Sequence, residues 1–202
     1  KVPDHPGGGT VLWTNPWQEH QYLPDIEARE DGGTPPFLGT IKTALAIKLK
    51  EKMGVKNILA REKEILQTLF LAMKKTRNLH ILAGEHVDRL GVISFNIEGL
   101  HYNLVSKLLN DHFGIQTRGG CACAGTYGHY LLGISREASR KITRRLRHDD
   151  QSLRPGFVRL SINPTMSNQE ISFIAQALKE IAEDGRAWSD DYRYNAKTNE
   201  FT

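Results

Sequence analysis

Hydrophobic residues recur at two different spacings along the chain, and the change of spacing separates predicted helices from predicted strands. Between residues 38 and 53 they recur every third or fourth position, which predicts a helix that ends at Met53-Gly54. A second helix is predicted from Asn57, with the same spacing. The apolar faces comprise Leu38, Ile41, Leu45 and Leu49 in the first helix, and Ile58, Ile65, Leu66, Leu69, Phe70 and Met73 in the second.

Alternation of apolar and polar residues replaces the helical spacing in the middle of the chain. Ile93, Phe95 and Ile97 alternate with polar residues, which predicts a strand over residues 92–97. Shorter strands are predicted over residues 11–13, 80–83, 115–117 and 157–162. Further helices are predicted over residues 100–113 and 131–147, and from the capping box Ser167–Glu170 to Gly185. This order predicts an α+β fold, with helices packed on a small mixed or antiparallel sheet.

The two ends of the chain differ from its middle. Residues 1–37 are rich in Gly and Pro, and their aromatic side chains would need other surfaces to cover them. Residues 38–185 carry the periodic pattern and predict the folded domain, whereas the polar residues 186–202 predict a surface tail. The chain starts without Met, shortly before the stretch GGGT at residues 7–10, so we expect it to be a fragment of a longer protein.

Composition narrows the classes of protein. Hydrophobic residues make up 39% and charged residues 25% of the 202 residues, as in ordinary globular domains. No apolar run is long enough to cross a bilayer and no signal peptide starts the chain, so we expect no membrane partner. The two cysteines lie one residue apart and cannot cross-link distant segments, which favours a reducing, cytoplasmic setting.

Positive charge is concentrated in one predicted helix. The formal net charge is only +4, which alone does not indicate nucleic-acid binding. Within residues 131–147 the basic side chains are Arg136, Arg140, Lys141, Arg144, Arg145 and Arg147. Because no aromatic residues stand between them, we interpret this surface as a solvated helix face rather than a nucleic-acid or partner surface.

The stretch QTRGGCACAGTYGH at residues 116–129 holds both cysteines, Cys121 and Cys123, shortly after Arg118. No bulky apolar residue stands between residues 119 and 125, which predicts a mobile loop that presents sulfur. A core thiol is normally surrounded by apolar side chains, whereas a reactive thiol is exposed and forms a thiolate near neutral pH. The spacing also fits a redox pair or part of a metal site. A structural zinc site needs a second pair of ligands that the sequence lacks, so we predict no metal site.

Two further residues are candidates for binding anions. In the strand over residues 157–162, Arg159 alternates with Val158 and Leu160, so it faces away from the helices if those aliphatic side chains pack on them. A guanidinium there could grip a carboxylate, although spacing alone favours a structural salt bridge. Thr34 precedes a predicted helix start, where it could hold a phosphate or cap the helix.

Four stretches in this order resemble the C-terminal part of the class V aminotransferase family of pyridoxal-phosphate (PLP) enzymes, especially its cysteine desulfurase and selenocysteine lyase branch. They are GGGT at residues 7–10, REDGGTP at residues 29–35, RGGCACA at residues 118–124 and VRLS at residues 158–161. The resemblance implies that residues 38–185 form the small domain of a fold type I PLP-dependent transferase. Residues 1–37 would then be a remnant of the large cofactor-binding domain.

The resemblance also implies a role for each matching residue. Cys123 matches the cysteine that attacks the substrate sulfur and becomes a persulfide, with Cys121 as the second candidate. Arg159 matches the arginine that holds the α-carboxylate of the amino-acid substrate, and Arg118 is expected to bind substrate beside it. Thr34, with Gly33, matches the residues that reach the PLP phosphate of a neighbouring subunit. These matches imply a homodimer, cysteine or a similar substrate, and a possible sulfur-acceptor protein.

Two departures from the family pattern limit what the resemblance implies. Desulfurases often carry histidines just before the reactive cysteine, where this chain has Cys121-Ala122. That leaves open which thiol reacts and whether the activity is desulfuration or transamination. The Schiff-base lysine lies upstream in the family, usually in a His-Lys pair, and no such dipeptide occurs here, so we expect this chain alone to be inactive. The alternatives are an aminotransferase or other lyase of the family, or a non-catalytic thiol redox or partner-docking module.

Overall fold

The computed structural model describes residues 4–121 and 123–202, and their contacts divide the chain into two units. One unit extends to Gly54 and the other runs from Val55 to Thr202. No helix in the described part of the chain combines the length and the apolar character that a membrane span requires.

The first unit contains a short hairpin and two helices. Its elements are β1 (Val11–Thr14), β2 (His20–Tyr22), α1 (Ile26–Glu30) and α2 (Phe37–Met53), and the two strands pair antiparallel. The predicted strand near residue 11 is confirmed, whereas β2 and α1 were not predicted. Helix α2 ends where the sequence predicts, because Gly54 adopts φ 82° beyond its last turn. No residue of α2 is buried.

The second unit supplies most of the regular structure. Its elements are α3 (Val55–Lys75), β3 (Leu79–Ile81), β4 (Val92–Ile97), α4 (Tyr102–Phe113), β5 (Arg118–Gly120), α5 (Gly125–Leu131), α6 (Arg136–Leu146), β6 (Phe157–Ser161), α7 (Asn168–Trp188), β7 (Tyr194–Asn195) and β8 (Glu200–Phe201). Together these elements form an α+β fold, which confirms the predicted fold class.

The core lies between one face of a sheet and three helices. Strands β3, β4, β6 and β5 lie side by side in that order, and every neighbouring pair is antiparallel. Alternate residues of β4 and β6, among them Phe95 and Val158, are fully buried on one face. Side chains from α3, α4 and α7, including Leu69, Leu108 and Ile181, complete this core.

Three sequence predictions in the second unit are wrong. The strand predicted over residues 115–117 lies at Arg118–Gly120 instead, because those residues pair with β6, so part of the expected loop is an edge strand. The helix predicted over residues 131–147 begins only at Arg136, since Gly133 adopts φ 60° after the end of α5 and the Ser135 side chain accepts a hydrogen bond from the Ala138 amide at the start of α6. Gly185 does not end α7, which continues to Trp188.

The predicted surface tail contains the hairpin of β7 and β8, which contacts the start of α4. The Asn199 amide donates to the Tyr102 hydroxyl at 2.8 Å, and the Asn103 amide donates to the Asn199 carbonyl at 2.5 Å. Phe201 packs against the core. The domain boundaries after residues 37 and 185 stay predictions.

Candidate functional site

A row of three polar side chains crosses the sheet on the face opposite the core. Arg159 in β6 lies opposite Arg118 in β5 on one side and opposite Ser94 in β4 on the other. Their neighbours Val158 and Leu160 point into the core, so the row faces away from the helices. The predicted orientation of Arg159 is therefore confirmed.

The two arginines lack acidic partners within the described residues. No ion pair there joins Arg118 or Arg159 to a carboxylate, which leaves the structural salt bridge considered for Arg159 unsupported. The Nε atom of Arg159 is buried and has no hydrogen-bond partner in that part of the chain. Like charges on directly opposite residues destabilise a sheet. An anion between the two guanidinium groups would relieve that repulsion and satisfy the free donor.

Strand β5 leads directly into a tight turn that carries both thiols. The Ala124 amide donates to the Cys121 carbonyl at 2.9 Å, which closes the turn. Cys123 adopts φ 61°, in the left-handed region that few residues other than glycine occupy. We call the segment from Cys121 to Ala124 the cysteine turn.

The two thiols have different surroundings. The Cys121 thiol is half-buried and donates to the Pro155 carbonyl at 2.8 Å. The Cys123 sulfur is exposed, and the Arg118 Nη2 atom donates to it at 3.2 Å. The guanidinium of Arg118 thus links the cysteine turn to the row that contains Arg159.

Burial also distinguishes Cys121 chemically. Loss of solvent raises the pKa of the Cys121 thiol above its ordinary value, and the positive charge of Arg154 opposes this only in part. Near neutral pH Cys121 is therefore held as a neutral thiol, the form that can donate to Pro155. Exposure and contact with a cation make Cys123 the better placed of the two sulfurs to react with an external molecule.

Two histidines that flank the cysteine turn in sequence, His112 and His129, are engaged with other groups. His129 contacts the Gly125 carbonyl and the Ser139 hydroxyl, at 2.8 and 3.0 Å, and so ties α5 to α6. His112 stacks on Trp188. Across residues 4–121 and 123–202, no three His, Cys, Asp or Glu side chains form a group that could hold a metal ion.

Thr34 and Gly33 lie in the first unit, just before α2. Gly33 adopts φ 92°, and its amide donates to the Gly8 carbonyl at 2.7 Å, which joins the two glycine-rich stretches. Pro36 occupies the N-cap position of α2 and no side chain caps the helix, so Thr34 is not the cap. Thr34 is exposed, and the positive end of the helix lies close to it in sequence. A hydroxyl and helix-terminal amides suit a phosphate.

The sequence analysis did not identify the residues whose hydrogen bonds support the cysteine turn. Pro155 accepts the Cys121 thiol, and Tyr102 donates to the Arg154 carbonyl at 3.1 Å. In the sequence, Pro155-Gly156 is typical of a turn before the strand that carries Arg159. The signal was therefore present, but its distance from the cysteines in sequence, 34 positions between Cys121 and Pro155, hid the contact.

Comparisons with known proteins identify the family of this chain. The family described as aminotransferase class-V matches residues 2–174 of the chain. A probable cysteine desulfurase of Methanothermobacter thermautotrophicus is 26% identical over 177 residues, which is 87% of this chain and 39% of the relative. A cysteine desulfurase of Haloferax volcanii is 24% identical over 128 residues, 63% of this chain and 29% of the relative. The chain thus spans well under half the length of these relatives.

Solved structures show the same fold. The apo cysteine desulfurase of Thermococcus onnurineus NA1 superposes with a TM-score of 0.64 at 24% identity, over 90% of this chain and 39% of that one. The cysteine desulfurase CsdA of Escherichia coli gives a TM-score of 0.63 at 16% identity, with the same coverage of both chains. The predicted α+β architecture is therefore that of one segment of these larger structures.

Proposed function

Because the chain belongs to the class V aminotransferase family and is cysteine desulfurase-like, we propose that it is the C-terminal part of a PLP-dependent enzyme that takes sulfur from cysteine onto Cys123. One observation carries the proposal. Arg118 contacts the exposed sulfur of Cys123 and lies directly opposite Arg159, so a thiol and two arginines are neighbours on one face of the sheet.

Arg159 is the proposed anchor of the substrate carboxylate. Its buried, unpartnered Nε donor and its fixed place on a strand suit a carboxylate, which can accept two parallel hydrogen bonds from one guanidinium. Fixing the carboxylate orients the rest of the amino acid, and correct orientation is a large part of catalysis. Arg118 would bind the same anion or hold the sulfur nucleophile in reach.

Cys123 is the proposed acceptor of sulfur. Its thiolate would take over the substrate's sulfur atom and become a persulfide, and the Arg118 guanidinium, which donates to this sulfur, would hold it in place. Cys121 is the weaker candidate, because its proton is engaged with the Pro155 carbonyl and its pKa is raised by burial.

The residues before α2 fit the phosphate end of PLP. Thr34 offers a hydroxyl and the uncapped start of α2 offers backbone amides, while the Gly33 amide, bonded to the Gly8 carbonyl, fixes the backbone just before Thr34. PLP, when bound, supplies the electron sink that weakens the bond to sulfur. The lysine that anchors it is expected upstream of this chain. By resemblance the phosphate would belong to a neighbouring subunit, so we propose a homodimer.

The test uses the full-length protein with PLP, cysteine and an excess of a dithiol reductant, and measures sulfide and alanine. We expect Cys123→Ser to abolish sulfide release and Cys121→Ser to retain it, because the reductant can release sulfur from Cys123 directly. Equal sulfide release by both single variants and by the double variant would refute the sulfur role. Amino-group transfer without sulfide would instead identify an aminotransferase.

A further inference from the structure

The cysteine turn brings together two thiols of different character, and the desulfurase reaction uses only one of them. Cys123 is exposed beside Arg118, whereas Cys121 is anchored on Pro155. We propose that Cys121 resolves a persulfide on Cys123 by forming a Cys121–Cys123 disulfide, which expels sulfide. This inference rests on the proposed function, because that function supplies the persulfide.

The backbone allows the disulfide to form. Residues two positions apart in a chain have Cα atoms no more than about 7 Å apart, and a tight turn shortens this distance. The hydrogen bond from Ala124 to Cys121 closes such a turn. A disulfide needs Cα atoms roughly 4.4–6.8 Å apart, a range open to residues at this spacing once the two side chains turn toward each other.

Space around the turn permits that adjustment. Gly120, just before the turn, adopts φ 113°, and a side chain built there would meet no atom within 4 Å. A side chain built at Gly125, the residue after the turn, would also meet no atom within 4 Å. The space beside the backbone is therefore open at both of these positions, so a small shift of the turn meets no neighbouring side chain there.

The surroundings of the two sulfurs set the order of events. Cys123 meets the incoming substrate first because it is exposed. Cys121 remains a thiol during this step, since its hydrogen bond to Pro155 and its burial both favour the protonated form. Resolution begins when that hydrogen bond opens and Cys121 loses its proton to solvent.

The reaction balances without an oxidant. The sulfur of Cys121 attacks the Cys123 sulfur, and a bond forms between them as the bond to the outer sulfur atom breaks. The outer sulfur takes that electron pair and leaves as hydrosulfide, so it is reduced while the two cysteines are oxidised to a disulfide. A dithiol reductant then restores both thiols for the next turnover.

The test loads the persulfide chemically, so it needs neither PLP nor the anchoring lysine. The reduced chain is treated with inorganic polysulfide and desalted, and then released sulfide and intact mass are followed with time. We expect the unsubstituted chain to release one sulfide and to end lighter by two hydrogen atoms than the reduced chain. Cys121→Ser should keep the added sulfur on Cys123 for about tenfold longer or more.

The controls separate resolution from other losses of sulfur. Cys123→Ser should form no intramolecular disulfide, and Cys121→Ala should behave as Cys121→Ser does if the thiol itself matters. Far-ultraviolet circular dichroism checks that each variant is folded. Equal rates of sulfur loss from the unsubstituted chain and Cys121→Ser, with no disulfide in either, would overturn the proposal.

The outcome is also separable from that of the proposed function. Disulfide formation in the loaded chain, together with no sulfide from cysteine in the full-length protein, would reject the desulfurase activity and keep the resolving role of Cys121. Desulfurase activity with a stable persulfide on the loaded chain would keep the desulfurase activity and reject the resolving role of Cys121.

Discussion

The two cysteines differ in the groups that contact their sulfur atoms, and this difference is not visible in the sequence. In the sequence a single residue lies between them. Only the resemblance to a family indicates which of the two reacts. In three dimensions a carbonyl group holds one sulfur and a guanidinium holds the other. The sequence could not predict this difference, because Pro155 and Cys121 come together only when β5 and β6 pair.

The raised pKa of Cys121 predicts how its alkylation depends on pH. Only the thiolate reacts, and burial shifts ionisation to higher pH, so the rate should stay low near neutrality and rise through a midpoint above that of an unfolded thiol. Arg154 acts on Cys121 in the opposite direction, and Tyr102 is a titratable neighbour.

Mass spectrometry of iodoacetamide labelling in a Cys123→Ser chain measures this rate. The same chain unfolded in urea is the control, and it should show an ordinary thiol midpoint. A folded midpoint at or below the unfolded one would contradict the burial of Cys121.

Arg159 offers a second test, on the full-length enzyme. Arg159→Lys keeps the charge but loses the second parallel hydrogen bond to a carboxylate, so we expect about 1.5–3 kcal/mol weaker substrate binding, seen as a rise in KM of about tenfold or more. Arg136→Lys makes the same change on the exposed helix α6 and should leave KM unaltered. An unchanged KM in Arg159→Lys would remove the proposed carboxylate anchor.

Helices and strands were predicted best where their pattern is local. The capping box at the start of α7 is confirmed, since Ser167 and Glu170 bond each other's backbone amides, and the alternating strand β4 has the predicted bounds. Strand β5 was missed because its glycines carry no pattern and its existence depends on pairing with β6. The basic helix α6 has no buried residue, as a solvated face requires.

A larger residue at Gly156 should crowd the contact between the start of β6 and α4 and so destabilise the fold. A methyl group built at Gly156 would lie 2.6 Å from the Tyr102 ring, which is buried and hydrogen-bonded to Arg154. Gly156→Ala should therefore lower the free energy of unfolding by about 1–3 kcal/mol. Urea denaturation measures the change. Gly125→Ala is the matched control, because the added methyl group meets no atom within 4 Å, and it should cost little.

For the whole chain, the family and fold class could be predicted from sequence, whereas the extent of the core could not. Every residue of the buried core cluster lies at or beyond Ile65, so the long helix α2 contributes none of it. The apolar face of α2 has the same spacing as that of α3, yet Leu38 and Leu45 are 76% and 60% exposed. Spacing identifies a face that can be buried, but it does not say which surface covers it.

Because the core cluster lies entirely in the second unit, the structure predicts how truncated chains unfold. A chain that begins at Val55 contains the whole core cluster, so we expect it to unfold in one cooperative transition in urea. The complementary piece that ends at Gly54 has no such core and should show no cooperative transition. A truncated chain from Val55 that unfolds without cooperativity would show that the core needs residues from the first unit.

The hairpin of β7 and β8 has a practical consequence for anyone who produces this protein. Asn199 holds the Tyr102 hydroxyl, that hydroxyl holds the Arg154 carbonyl, and the next residue, Pro155, holds the Cys121 thiol. An affinity tag fused beside this hairpin, or a protease cut within it, would act on the series of hydrogen bonds that ends at the Cys121 thiol. Preparations made with and without such a tag should therefore be compared before any thiol measurement is interpreted.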